Sequence, residues 1–96
     1  MELEFAGEVI EWRGPAPFYY VVIPQPESDE IKAVANAFTY GWGVIPVRAT
    51  IAGITFTTSL FPRDGGYLLP LKSAVRQPAG VGVGDLVTVE LSLVRV

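Results

Sequence analysis

Three basic residues and a glycine-rich turn are the groups in this chain whose types and spacing could do chemistry. One arginine lies directly before the Asp-Gly-Gly turn 64–66, and a lysine and a second arginine follow it. Backbone N–H groups in such a turn, together with nearby cations, suit an anion. We therefore predict a ligand-binding site for a small anion or a partner's carboxylate. Its residues are Arg63, Gly65, Gly66, Lys72 and Arg76.

This site depends on how one short strand is placed. Residues 67–71 separate Arg63 from Lys72 by about 17 Å if they are extended. The cations converge only if the turn folds back over the far end of that strand, which a barrel permits but does not require. The opposing interpretation is that Asp64 and the glycines only make the turn and that the cations are solvated.

Two aromatic residues are a second candidate contact. Tyr40 and Trp42 alternate with Gly41 and Gly43 and could stack on a base or a ligand. Aromatic side chains beside glycines more often plug the end of a barrel, because they bury a large apolar area there. Both interpretations stay open at this point.

Catalysis is limited by what the sequence lacks. It contains no histidine and no cysteine, which removes the usual general base, the thiolate ligands and the Ser-His and Cys-His nucleophiles. Glu27, Asp29 and Glu30 crowd a helix start, where the helix dipole favours negative charge. We expect no catalytic residue, metal or cofactor, and a small enzyme without His or Cys chemistry is the second alternative.

Length and composition limit the architectures that this chain can adopt. The 96 residues are expected to form one domain, 1–96, because chains usually split only well above this length. Half of them are hydrophobic, which excludes disorder. No apolar run approaches the roughly 20 residues needed to cross a bilayer, and the acidic N-terminus is unlike a signal peptide. The default expectation is a cytoplasmic protein.

Alternating hydrophobicity predicts strands over most of the chain. In the first strand the alternation changes parity after Val9, which predicts a bulge or a sharp bend there. The second strand is apolar throughout and is expected to be covered on both faces. A two-residue turn at 52–53 joins the third and fourth strands. The predicted strands are 2–13, 18–23, 44–51, 54–61, 67–71 and 85–96.

Two helical segments complete the prediction. An apolar stripe at i, i+3, i+4 and i+7 predicts an amphipathic helix over 29–38 with Ser28 as its N-cap. Residues 72–76 form at most one or two turns. The fold class is therefore mainly β, a small closed barrel of about six strands with one amphipathic helix and one short helical turn. The predicted core includes Phe5, Val47, Ile51, Phe56, Leu60, Val89 and Leu91.

A weak internal repeat is also visible. Residues 22–24 (VIP) precede a helical segment, glycines and a strand, and residues 68–70 (LLP) precede a similar series. A real repeat would give two strand–helix–strand halves in one pseudo-symmetric barrel. Chance similarity between short apolar segments is the other explanation.

Several segments together resemble the bacterial domain of unknown function 1905 family. They are 53–62 (GITFTTSLFP), 65–70 (GGYLLP), 72–76 (KSAVR) and 84–85 (GD). The resemblance covers nearly the whole chain and is most specific over 47–87. The sequence departs from it at 18–20 (FYY), where a strand with a tryptophan is expected. The resemblance implies a small double-split β-barrel and no established activity.

The second half is also similar to the swapped-hairpin motif of AbrB-type regulators and antitoxins. Residues 69–76 and 84–89 match the order strand-proline, basic helix and Gly-Asp-strand. Such proteins bind DNA as dimers, whereas this chain carries both halves of a barrel, which predicts a monomer or a weak homodimer. The net charge of −3 and the pI near 4.7 argue against nucleic-acid binding.

Two function classes therefore stand first. The favoured one is a non-catalytic module that binds a small anionic ligand or a protein partner. The alternative is an AbrB-like DNA-binding regulator. Partners at a membrane are not expected.

Overall fold

Six antiparallel strands close into a barrel, as the alternating pattern predicts. The computed structural model describes residues 1–12, 18–38 and 44–94. The barrel order is β1-β2-β5-β4-β3-β6. The strands are β1 (Glu2–Trp12), β2 (Phe18–Val22), β3 (Ile45–Ile51), β4 (Ile54–Arg63), β5 (Gly66–Leu71) and β6 (Leu86–Leu93), and the helices are α1 (Gln25–Phe38) and α2 (Ser73–Ala79). Neither helix in the described ranges is long and apolar enough to span a membrane.

The strand order has the two-fold form that the internal repeat predicts. Exchanging β1 with β4, β2 with β5 and β3 with β6 leaves every neighbour relation of the barrel unchanged. Each half then reads strand, strand, helix, strand along the chain. Two antiparallel pairs, β2–β5 and β3–β6, are exchanged onto themselves, and both join one half to the other.

The core lies inside the barrel and is supplied by alternate residues. In β3 the inward residues Ile45, Val47, Ala49 and Ile51 are all buried, as predicted. The rest of the predicted core is also buried, with one exception. Phe56 is only partly buried and packs against the edge of the core, because β4 pairs with β5 only from Phe61 onward and leaves this part of the strand covered from one side.

The bulge predicted near Val9 is present, but its extra residue lies on the other chain segment. β1 runs one-to-one with β6 from Glu2 to Glu8 and one-to-one with β2 from Val9 onward. Val9 faces both Gly84 and Asp85: its N–H donates to the Asp85 carbonyl, and its carbonyl accepts from Gly84 N–H. Gly84 has φ +90°, so this is a bulge of the glycine type.

Two of the turns are two-residue hairpins of the same kind. Ala52 and Gly53 both have positive φ, and so do Asp64 and Gly65. Such turns match the right-handed twist of the strands that they join. Because the second turn needs only two residues, β4 extends to Arg63 instead of ending before Pro62.

The prediction of Ser28 as an N-cap is wrong. α1 begins at Gln25, since a proline such as Pro26 is tolerated in the first turn, where N–H groups lack helical partners. Ser28 is instead a residue of this helix and is fully buried on the side that faces the barrel. Its hydroxyl donates to the Ile23 carbonyl at 3.1 Å and accepts from Tyr67 N–H at 3.2 Å. One side chain thus joins α1 to the ends of β2 and β5.

Replacing Ser28 by alanine should therefore destabilise the fold. The substitution leaves a buried carbonyl and a buried N–H without a partner, which costs about 1–3 kcal/mol. Chemical denaturation of Ser28→Ala and the wild type measures the difference. The exposed Ser73→Ala is the matched control, and an equal effect of the two substitutions would show that the buried hydroxyl contributes nothing.

Other features of the elements also differ from the predictions. Phe18 is 56% exposed, so β2 is not covered on both faces, and Ile23 lies beyond its end. α2 is longer than predicted because Pro78 is accommodated inside it, and it ends at Gly80, whose φ is +68°. β6 ends at Leu93 within the described chain.

Candidate functional site

The structure divides the predicted site residues between two cavities. Lys72 and Arg76 line the larger cavity, whereas Arg63, Gly65 and Gly66 line a smaller one. Tyr40 and Trp42 lie outside the described residues. The predicted convergence of all three cations is therefore not found, and each cavity is a separate candidate.

The cause of this division is the hairpin between β4 and β5. Arg63 and Gly66 are paired at the turn end of that hairpin, and Lys72 follows the opposite end of β5. An extended strand of this length spans about 17–20 Å. The turn does not fold back over the strand, so the two cationic regions stay at its opposite ends.

The larger cavity, which we call the Arg76 groove, forms where β4 separates from β5. The two strands pair only over the three residues nearest their turn. Beyond that point lies a groove with a volume of about 1030 Å³. It is lined by Phe18, Tyr19, Tyr20, Pro46, Val47, Thr57, Thr58, Ser59, Phe61, Pro70, Leu71, Lys72, Ser73, Arg76 and Val94.

The wall of the Arg76 groove is largely apolar and partly open to water. Phe18 on β2 is 56% exposed and Phe61 on β4 is 46% exposed, although a folded domain usually covers large aromatic side chains. Pro46, Pro70 and Val94 continue this surface. An exposed apolar surface inside a concave groove is typical of a binding site.

Arg76 provides the principal charge in the groove. Its guanidinium carbon lies 3.8 Å from the centroid of the Tyr19 ring, in a cation–π contact. Its Nε atom is buried and has no hydrogen-bond partner among the described residues. Such a donor is costly to leave unsatisfied. The described chain thus leaves one donor of a residue that lines the groove unsatisfied.

Local packing of α2 fixes this arginine in place. Val75, the preceding residue, is buried against the barrel. The helix ends one turn later at Gly80, whose N–H donates to the Gln77 carbonyl, and the Arg76 carbonyl accepts from Val81 N–H. The buried Val75 before Arg76 and the cap hydrogen bonds after it thus position the backbone of Arg76. Its side chain lies over Tyr19 of β2.

The remaining polar groups of the groove favour an anion. Lys72 lies one helical turn before Arg76, and Ser73 and Thr57 add hydroxyl groups. None of the described residues that line the groove is acidic. A negatively charged group there would meet two cations and no carboxylate from this part of the chain.

The smaller cavity is less suited to an anion. It has a volume of about 280 Å³. Arg63 stacks on Trp12 much as Arg76 stacks on Tyr19, at 3.9 Å from the ring centroid. Its Nε, however, lies 3.5 Å from an Asp64 carboxylate oxygen, so Arg63 already has a negatively charged partner. Tyr67 also lines this cavity, and burial raises the pKa of its hydroxyl, so this group stays neutral at neutral pH and does not serve as a base.

Sequence reasoning missed the aromatic half of the Arg76 groove. Phe18, Tyr19 and Tyr20 were assigned to a covered strand, although they line the groove. Their signal in the sequence is the run of three aromatic residues directly after the proline-containing segment 14–17. The stacking of Arg76 on Tyr19 depends on the pairing of Tyr19 with Leu71, which links segments about half the chain apart.

Comparison with known proteins identifies the family but supplies no activity. No curated protein matches the chain. A family model matches residues 5–91, which include every strand and both helices at least in part. The matched range covers nearly the whole chain and includes the segments 53–62, 65–70, 72–76 and 84–85 on which the sequence resemblance depends. The chain therefore belongs to the family described as a domain of unknown function (DUF1905).

Proposed function

We propose that this protein is a non-catalytic binding module whose Arg76 groove takes an amphipathic anion. The negatively charged group, a carboxylate, binds Arg76. The apolar body of the ligand lies against Phe18 and Phe61. Lys72 and Ser73 assist at the charged end of the groove.

The buried Nε donor of Arg76 carries this proposal. A buried donor without an acceptor costs about 1–3 kcal/mol, and a carboxylate that accepts from it removes that cost. The contact with the Tyr19 ring restrains the guanidinium, which limits the side-chain entropy lost on binding. A planar carboxylate matches the fork of N–H groups on an arginine better than a point charge does.

A small aromatic acid tests the proposal. Hydrocinnamate carries one carboxylate on an aromatic body, and hydrocinnamyl alcohol is its neutral counterpart. We expect hydrocinnamate to bind with a Kd on the order of 1 mM, as befits a ligand of this size. The alcohol should bind at least about tenfold more weakly, because a charge-assisted hydrogen bond is lost. Titration followed by amide NMR shifts measures both.

Two arginine variants supply the matched comparison. Arg76→Gln should weaken hydrocinnamate binding by about 10–100-fold and remove the preference for the acid over the alcohol. Arg63→Gln removes an arginine that is stacked on an aromatic ring in the same manner but lies outside the groove, and should leave binding unchanged. Equal binding of acid and alcohol, or equal losses in the two variants, would contradict the proposal.

A DNA-binding regulator is less well supported than a binding module. The net charge is −3, and the cations that would contact phosphates are divided between two cavities. All six strands of the barrel come from one chain, which supports a folded monomer over an obligate swapped dimer. A double-split arrangement of the barrel, a bacterial source, a cytoplasmic location and a monomeric or weakly dimeric state stay predictions.

A further inference from the structure

At Thr55 and Thr57 one edge of β4 has no strand partner in the described chain. Its register with β3 runs from Ile54 to Leu60, whereas its register with β5 is limited to Phe61–Arg63. In the described chain, no backbone hydrogen bond outside the strand ladders involves Thr55 or Thr57. Thr57 is exposed and lines the groove. An open edge of this kind is a template for pairing with another extended chain.

The hairpin turn determines which backbone groups face that edge. Because the turn 52–53 has two residues, the flanking pair Ile51 and Ile54 exchanges hydrogen bonds. In an antiparallel ladder such pairs recur at every second residue. The backbone N–H and C=O groups of Thr55 and Thr57 therefore point away from β3.

The other end of β4 agrees with this alternation. If the alternation is followed along the strand from Thr57 to Phe61, the backbone groups of Phe61 also point away from β3. Phe61 is the residue at which β4 pairs with Leu68 of β5. Thr57 and Phe61 thus direct their backbone groups to the same edge of β4, which β5 occupies at Phe61.

We propose that the occupant of the Arg76 groove is the C-terminal end of an extended peptide. The peptide adds a strand to β4 at Thr57 and places its terminal carboxylate on Arg76. A peptide C-terminus combines the three features that the groove recognises: backbone donors and acceptors, apolar side chains and a carboxylate. This proposal rests on the proposed function, because both assign the anion to Arg76.

The apolar wall predicts the side chains of the peptide. Side chains of an added strand alternate between two faces. Those on the outer face lie beside Phe61 on β4 and across the groove from Phe18 on β2, both of which are exposed. Apolar residues at alternate positions before the C-terminus are therefore expected.

Selection from a library identifies and tests such a peptide. The probe is a library of random hexapeptides with free C-termini, fused to a carrier protein and selected on the immobilised wild-type chain. The consensus peptide is then synthesised as the free acid and as the C-terminal amide. We expect the acid to bind about 10–100-fold more tightly than the amide. Arg76→Gln should abolish this difference, and Arg63→Gln should preserve it.

Strand addition is tested separately at Thr57. Thr57→Pro removes the N–H that faces the open edge, at a position where an edge strand tolerates proline. We expect it to weaken the peptide at least about tenfold relative to the wild type. Thr57→Val, which keeps the N–H, is the matched control. Consensus peptides N-methylated at successive backbone positions give the same information without changing the protein, and binding should fall only at alternate positions.

The two proposals fail in different ways. Hydrocinnamate binding that depends on Arg76, with no peptide enriched by the wild type over Arg76→Gln, overturns the peptide proposal and leaves the proposed function standing. Equal affinity of acid and amide, or no effect of N-methylation, also overturns it. A dimer joined through β4 and abolished by Thr57→Pro overturns it as well, because a second copy would then occupy the edge.

Discussion

Replacing Gly7 by alanine should destabilise the protein by about 3 kcal/mol, the upper end of the range for overpacked positions. β1 crosses close to β2 at this residue. A Cβ atom on Gly7 would overlap the backbone carbonyl of Val22 and lie 2.6 Å from Val21 Cγ1. A backbone atom in a closed barrel cannot move aside as a flexible side chain can. The loss is a large part of the roughly 5–15 kcal/mol available to a small domain.

The control for this substitution is another glycine. A Cβ atom on Gly82 would meet only the Asp85 carboxylate, at 4.0 Å. Gly82→Ala should therefore change the free energy of unfolding by less than about 1 kcal/mol, the usual range for a surface position. Thermal and urea unfolding of the two variants compares them. A Gly7→Ala variant as stable as Gly82→Ala would show that β1 does not approach β2 as described.

Truncating Leu69 to alanine should cost about 2–5 kcal/mol. This side chain has no exposed surface, and it lies on β5 opposite Val21 of β2, in one of the strand pairs that join the two halves of the barrel. Removing it leaves a cavity that surrounding strands cannot fill, because their ladders hold them in place. Urea denaturation gives the change in the free energy of unfolding.

Leu86 provides the matched control for Leu69. It is 73% exposed, so Leu86→Ala should change stability by no more than about 0.5 kcal/mol. If the two variants lost comparable free energy of unfolding, Leu69 would not be buried between the strands as described.

Local patterns predict most of the strands because one face of each is buried. In β3 a shift of one residue would expose all four inward side chains, so the alternation permits a single assignment. The helix start is less well determined by sequence. Ser28 before two acidic residues is a typical N-cap, and Pro26 equally suits a first helical turn. Only the packing of Ser28 between α1 and the barrel distinguishes a helix that begins after Ser28 from one that begins at Gln25.

The candidate site could be predicted in part. Lys72 and Arg76 lie four residues apart on one helix, so their proximity is local and follows from the sequence. The position of Arg63 depends on where β4 and β5 separate, and the position of Tyr19 depends on the pairing of β2 with β5. Both are long-range properties, and no short pattern encodes them.

The Nε–H resonance of Arg76 gives the most direct test of the central claim, that this arginine is the anion contact. Arginine Nε–H signals can be followed by NMR and assigned by comparison with Arg76→Gln and Arg63→Gln. On addition of hydrocinnamate, the Arg76 signal should move downfield as its N–H gains a carboxylate acceptor, and the Arg63 signal should stay in place. An Arg76 signal that does not move while hydrocinnamate binds, or an Arg63 signal that moves instead, would contradict the account.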